Sequence, residues 1–466
     1  MSFKMTTLGE YAKVQGGFAY KSKDFIGASE YRVLKIKNVR FGTIDYSEPA
    51  FVPKNIAEST INWKLKEGDI LISMTGSGPN APQSLVGRVA RVWKNEPDAW
   101  FNQRVGRISL VDNKKIHPDF IFYWLSLPQN QDFLVANSSG SANQANISGK
   151  TIESLPTPIV DYEISSAIAK IARELDEKII LNTQTNQTLE QIAQAIFKSW
   201  FVDFDPVKAK IEALAAGGSA DDAELAAMSV ISAKTLDELN SLKVSNPEAF
   251  NKLAQTAALF PSAMQDSELG EIPKGWEVGK LANIIDFNPR RTLKKGTLAP
   301  YLDMKNVPTT GHLAIEVVDR EMASGTKFVN GDTLLARITP CLENGKTAYV
   351  DFLKDNQVGW GSTEYIVMRP KEGYPTSIGY LLARDTNFRQ QAIQSMTGTS
   401  GRQRADAKAL AETAWLIYPK ELVRAFDKTA KGYLSLAKIN GDESKSLSEI
   451  RDALLPKLLS GELVGE

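Results

Sequence analysis

Cysteine and histidine are nearly missing: Cys341, His117 and His312 are the only three in 466 residues. A disulfide framework and a four-ligand Cys/His zinc site are therefore excluded, and a metal would have to rely on carboxylates alone. No stretch of 18 apolar residues occurs, and the first thirty residues do not pair a basic start with an apolar run and a small-residue cleavage site. These absences predict a cytoplasmic chain with no membrane partner. Net charge is missing too, since 55 Lys and Arg balance 55 Asp and Glu. At first this balance argues against a nucleic-acid partner.

Catalytic motifs are also lacking. A phosphate-binding loop needs glycine five residues before Gly-Lys-Thr, and ahead of Gly345, Lys346 and Thr347 that position is Pro340. A methyltransferase clamp for a flipped base needs two prolines and an aromatic after Asn or Asp, and Asn288-Pro289-Arg290 departs after the first proline. Gly76-Ser77-Gly78 lacks the residue that a nucleophile elbow needs on each side of its serine. The two histidines read as surface or helix-entry residues, and Asp221-Asp222 as a solvated acidic patch. The expectation is a chain with no catalytic residue, no metal and no cofactor of its own.

What is present is arrangement. At 466 residues and 42% hydrophobic content, two or three domains are expected. Charge is segregated: residues 1–160 carry net +5 and 272–419 net +4, against −3 for 161–204, −6 for 205–271 and zero for 420–466. Two mildly basic blocks alternate with spacers that are not basic. The halves also repeat each other. At an offset of 258, Gly140 falls on Gly398, Lys150 on Lys408, Ala172 on Ala430, Asn182 on Asn440 and Ala195 on Ala453. Upstream the offset drifts to 263 for Gly68-Asp69 against Gly331-Asp332, and to 268 for Lys37-Asn38-Val39 against Lys305-Asn306-Val307. Each half is thus a variable domain followed by a better matched tail.

The tail carries apolar residues in alternating steps of four and three, the seam of a coiled coil. The first seam is Ile164, Ile168, Ile171, Leu175, Lys178, Asn182, Thr185, Leu189, Ile192 and Ile196. The second is Leu422, Phe426, Thr429, Tyr433, Leu436, Asn440, Glu443, Leu447, Ile450 and Leu454. At the centre, Asn182 and Asn440 are either a buried amide pair that fixes register or the mark of a helix break, because 183–188 is wholly Thr, Gln and Asn. Helices of about 40 residues reach roughly 60 Å. Antiparallel pairing would put the domains at opposite ends, a geometry suited to a duplex whose major-groove faces recur about every 34 to 36 Å. Phe197, Trp200, Phe201 and Phe204 are too apolar for free surface, and form either an internal core or a partner interface.

The fold class is α+β. Residues 31–39, 69–74, 86–92 and 105–111 read as strands followed by a helix over 117–135. Residues 301–307, 332–338, 347–352 and 364–368 read as strands followed by a helix over 377–395. Residues 208–264, Ala-rich and acidic with a Gly217-Gly218 break, read as a few small helices or a mobile insert.

These features resemble the specificity subunits of Type I restriction-modification enzymes. The likeness lies in 195–206 (AIFKSWFVDFDP), 454–463 (LLPKLLSGEL), 267–276 (SELGEIPKGW) and 398–404 (GTSGRQR), and in the half-repeat order. Two features depart from it: the insert is long for a connector, and 140–147 (GSANQANI) matches its partner loop only in outline. The resemblance implies two similar mixed α/β target-recognition domains, 1–158 and 271–419. A central conserved helix (159–205), an insert or linker (206–270) and a C-terminal conserved helix (420–466) complete the chain, with the helices forming an antiparallel coiled coil. It also implies a non-catalytic subunit that reads double-stranded DNA as a bipartite asymmetric target, one half per domain. Two methyltransferase subunits would bind along the helices, with motor and nuclease subunits joining for cleavage. S-adenosylmethionine, ATP and Mg²⁺ would belong only to those partners.

DNA contact needs cations for phosphates and paired donors and acceptors for base edges. In the first domain the candidates are Lys21, Lys23, Lys35, Lys37, Asn38, Arg40, Asn102, Gln103 and Arg104. In the second they are Arg290, Arg291, Lys294, Lys295, Lys305, Asn306, Arg337, Thr339, Arg402, Gln403 and Arg404. Segments 140–146 and 398–404 could instead brace domain to helix. Helix pairing or partner contact falls to the apolar seam positions, with Trp200 and Phe201. Two rival readings are a coiled-coil adaptor without sequence-specific DNA binding, and a single-chain DNA methyltransferase or nuclease.

Overall fold

The computed structural model describes residues 3–78, 85–141, 144–399 and 401–463. Its contacts divide the chain into two units, Met1–Ile180 with Ser444–Glu466, and Leu181–Glu443. Each unit holds one sheet domain and a stretch of both long helices.

In the first unit an antiparallel sheet runs in the order Ala12–Gly16, Val105–Leu110, Ile70–Ser73, Val89–Arg91. A second sheet runs Ala50–Phe51, Arg32–Leu34, Ala99–Phe101, its last pair parallel. The second unit repeats this plan. Its antiparallel sheet is Ile285–Phe287, Tyr365–Pro370, Thr333–Ala336, Thr347–Tyr349. Its other sheet is Val318–Glu321, Leu298–Leu302, Gly359–Gly361, Thr326–Phe328, again with one parallel pair, here at the centre. The parallel pairs match in register: Val33 faces Trp100, and Tyr301 faces Trp360.

Several elements are shorter than the sequence pattern. The strand expected over 31–39 stops at Leu34, where Asn38 Oδ1 accepts the Lys35 amide at 2.8 Å and turns the chain into a 3-10 helix, Ile36–Asn38. Its counterpart is Met304–Asn306, where Asp303 caps the turn by accepting from Lys305 N. Each expected helix after the sheet is two helices, Pro118–Ser126 with Pro128–Ala136 and Thr376–Arg384 with Thr386–Gln394. Pro128 drives Leu127 out of the helical region, and Asp385, also extended, caps the next helix through Phe388 N. Both breaks fall at the same point of the repeat.

The long helices are Tyr162–Phe201 and Lys420–Ser460, of 40 and 41 residues, roughly 60 Å each. The helix break considered at Asn182 does not occur. Partner numbers fall along the second helix as they rise along the first: Asn182 Nδ2 donates to Asn440 O at 3.2 Å, and Asn186 Nδ2 to Ala437 O at 2.8 Å. The helices are therefore antiparallel. Asn440 Nδ2 in turn donates to Asn186 Oδ1 at 2.9 Å, and Asn182 is 3% exposed.

The expected seam needs a correction of one position. Ile171 (44% exposed), Ile192 (38%), Leu436 (43%) and Ile450 (48%) lie outside. The buried line is Ser165, Ala169, Ala172, Asp176 and Phe197 on the first helix, and Val423, Ala430, Leu434, Ala437 and Leu455 on the second. Every one of these follows a seam position picked from the sequence. Size-weighted periodicity chose the bulky residues, whereas the helices bury the smaller residues beside several of them. Ile168, Leu422 and Phe426 are buried as expected, and Ile164, Leu175, Leu189, Ile196, Tyr433, Leu447 and Leu454 are half-buried.

Residues 205–257 form four helices, Asp205–Ala215, Ala220–Ser232, Leu236–Ser245 and Pro247–Ala257. Ser219 with Asp222 and Thr235 with Glu238 make reciprocal capping boxes, and Ala227, Met228, Leu239 and Ala257 form a small core. This segment is folded structure rather than a mobile linker. No helix among the described residues is long and apolar enough to cross a membrane.

Candidate nucleic-acid interface

In the first domain the loops carrying the candidate residues meet at one end of the sheets. Asn102 N donates to Leu34 O at 2.9 Å, Gln103 N to Phe18 O at 2.9 Å, and Met74 N to Arg104 O at 2.9 Å. Glycine is required at the crossing, because a Cβ on Gly17 would lie 2.1 Å from Asn102 O. Lys35, next to Leu34, holds its ammonium 4.1 Å from the centre of the Phe25 ring, and Gln103 is exposed. Lys21 and Lys23 are exposed on the turn Ser22–Asp24, whose Asp24 carboxylate accepts from Lys21 N.

Three neighbouring candidates are engaged internally. Asn38 is 1% exposed, and its Nδ2 donates to Asp45 O at 2.8 Å and Glu48 O at 3.3 Å, so it braces the turn instead of facing a ligand. Lys37 pairs with Glu48 at 2.8 Å and Arg40 with Asp45 at 3.0 Å; both pairs are open to solvent and weak.

In the second domain Arg290, Lys294, Lys295 and Arg402 are exposed, as is Lys305, while Asn306 donates to Glu316 at 3.3 Å. Arg291 turns inward to Asp332 at 3.2 Å. Thr339 Oγ1 accepts from Gln403 N at 3.2 Å, and Arg337 N donates to Glu364 O.

The segments 139–146 and 397–404 are counterpart braces. In the first, Ser139–Ser141 pairs with Gln144–Asn146, which pairs with Thr75–Gly76. In the second, Arg404 bridges both Thr397 and Ile338. The first loop also contains Ala142 and Asn143 and the second Ser400, which lie outside the described residues. Gly140 and Gly398 both have positive φ, 110° and 125°, where a side chain is disfavoured. What ties each hairpin to its sheet differs. In the first domain Arg104 Nη1 donates to Thr75 Oγ1 at 3.0 Å and Asn146 Oδ1 at 3.1 Å. In the second, Arg404 grips Glu364 through Nε at 2.9 Å and Nη2 at 2.7 Å, which raises the guanidinium pKa. Strand register puts Glu364 where Arg104 stands, since each precedes the residue paired at the ladder end, Tyr365 with Ala336 and Val105 with Ser73.

The aromatic cluster closes on itself: Phe197, Trp200 and Phe201 pack with Phe260, Trp276, Tyr418 and Phe426 in one core. Trp200 and Phe201 are thus core residues and present no partner surface. His117 accepts from Asp119 N at a helix start, as expected, but His312 is 2% exposed between the Tyr349 and Tyr380 rings, not a surface residue. Exposed apolar side chains do occur on the long helices, at repeat counterparts: Leu181 with Ile439, and Ile192 with Ile450.

Lys327 was not legible as a candidate, although the 263 offset of Gly68-Asp69 carries Lys64 onto it. Each lysine bridges the tryptophan of its sheet's parallel pair, Trp100 or Trp360.

A family profile described as "Type I restriction modification DNA specificity domain" matches residues 2–191. The chain is 33% identical over 427 residues to the Type I restriction enzyme HindI specificity subunit of Haemophilus influenzae, covering 86% of this chain and 87% of that one. It is 22% identical over 511 residues to the MjaIX specificity subunit of Methanocaldococcus jannaschii, covering 99% and 96%. In fold it is similar to the S subunit of a Type-I restriction-modification system from M. genitalium, with TM-score 0.51, 15% identity, and 98% and 96% of the two chains covered.

Proposed function

The chain belongs to the specificity subunits of Type I restriction-modification systems, the non-catalytic DNA-recognition components, and from that premise we propose how it divides the work. Each sheet domain reads one half of a bipartite, asymmetric target in double-stranded DNA. The antiparallel helices, acting as a coiled coil, carry two methyltransferase subunits, and restriction subunits join that assembly. S-adenosylmethionine, ATP and Mg²⁺ act in those partners, and the complex works in the cytoplasm.

The observation that carries this reading is one fold plan used twice with different polar residues at matching places, as with Arg104 and Glu364. Shared architecture supports a shared task, and divergent loop chemistry supports two different base sequences. The exposed counterparts Leu181 and Ile439, and Ile192 and Ile450, support two copies of one partner.

The test is footprinting of the chain bound with its methyltransferase subunits. Two protected segments separated by unprotected base pairs, and affinity that falls steeply with salt, are expected. One continuous protected segment, or methylation by the chain alone, refutes the division.

A further inference from the structure

The second domain contains a cavity of about 290 Å³ whose lining includes Arg291, Lys327 and Arg337. Opposing charge is scarce there. Asp332, which ties down Arg291, is wholly buried and is shared by Arg291 at 3.2 Å, Arg369 at 3.2 Å and Val329 N at 2.9 Å, and Asp303 lies close enough to act on the lining Tyr365. Glu364 is held by Arg404. Neither Lys327 nor Arg337 has an ion-pair partner among the described residues. The Nε atoms of both Arg291 and Arg337 are buried and lack a hydrogen-bond partner. Cations drawn partly out of water are normally paired, so Lys327 and Arg337, both unpaired at one cavity, call for an anion from outside.

The donor set narrows the ligand. Arg and Lys offer only donors. Asn288 Oδ1 already accepts from Val367 N at 2.9 Å, the Tyr365 hydroxyl donates to Leu302 O at 3.2 Å, and the hydroxyls of Thr326 and Thr363, which can donate as well as accept, complete a lining weighted toward donors and positive charge. Base edges present donors as well as acceptors, whereas a phosphate presents only acceptor oxygens and negative charge.

We propose that this cavity seats a single phosphate of the DNA backbone, a contact that exists only in the second domain. At the matching ladder position the first domain has Met74 instead of Arg337, and Lys64, the counterpart of Lys327, is neutralised by Asp98 at 2.6 Å. The proposal rests on the DNA-reading role above, and its test separates the two. DNA affinity of the full chain with its methyltransferase subunits is measured against salt for wild type, the double variant Lys327→Gln/Arg337→Gln, and Lys64→Gln as control. The double variant is expected to flatten the log-affinity against log-salt slope by roughly 0.9 for one lost phosphate while keeping the same preferred sequence. Lys64→Gln is expected to leave the slope unchanged. Methylphosphonate placed at single positions of the DNA gives the same reading without altering the protein: one position in the second half-site should weaken wild type and not the double variant. An unchanged slope together with no such position overturns the proposal. Titration of the DNA-free protein with inorganic phosphate covers the other source. Phosphate binding with an unchanged DNA slope marks a site for the free ion and also overturns it. Should wild type bind no DNA, the DNA-reading role fails, and loss of phosphate binding in the double variant still supports an oxyanion pocket, while no phosphate binding sinks it.

Discussion

Asn182 and Asn440 are counterparts in the sequence repeat and neighbours in space, the amide of one donating to the main-chain carbonyl of the other at 3.2 Å. In an antiparallel pair, counterpart residues meet only at the centre, so this contact marks the register. Asn182 Nδ2 also donates to Glu443 at 2.8 Å. Replacing Asn182 by Ala removes both bonds from a nearly buried site and is expected to lower stability by about 1–3 kcal/mol. Urea denaturation checks this, and an unchanged midpoint argues that the amide does not hold the register.

Acid sensitivity in the first domain should run opposite to the usual carboxylate pattern. Burial pushes the Glu96 carboxyl up to about 7, against the hydrogen bonds it accepts from Trp93 N at 3.0 Å and Tyr46 Oη at 3.1 Å. The fold therefore favours its protonated form. That contribution is fully present below the unfolded carboxyl pKa and is lost as pH rises through about 7. With allowance for solvent screening it is on the order of 1–2 kcal/mol. Thermal melts from pH 4 to 8 should show the decline in wild type and not in Glu96→Gln.

Partner docking should be separable by helix. Leu181 and Ile439 are 56% and 64% exposed and sit at the same position of the two copies. Leu181→Asp and Ile439→Asp are each expected to weaken attachment of one methyltransferase subunit while leaving the chain folded. Mass measurement of the assembled complex reads this directly, and full occupancy in both variants counts against helix docking.

Exchanging residues 1–158 for the same region of a relative should change one half of the recognised sequence. Methylome sequencing supplies the readout. A change in both halves contradicts modular reading.

Much of this organisation was legible because a repeat constrains sequence at long range: the matched loops at 140 and 398 and the paired tails followed from one constant offset. The seam was misplaced because periodicity weighs size. Ile171 and Ile192 are conspicuous, but the buried line runs through Ala172 and Ala193. Asn38 looked like a base reader by residue type, and only its contacts with Asp45 and Glu48 reveal a turn brace. The cationic cavity was half visible: Arg291 and Arg337 stood out as single charges, but nothing local in the chain announces that Lys327 joins them.

The differing ties of the two hairpins restrict where chimeras can be cut. A crossover between the sheet and the hairpin would set Arg404 against Arg104, two cations in one place, or leave Glu364 facing the neutral Asn146. Though the flanking helices keep one register, each hairpin has to travel with the sheet that grips it, so viable breakpoints lie beyond residues 146 and 404.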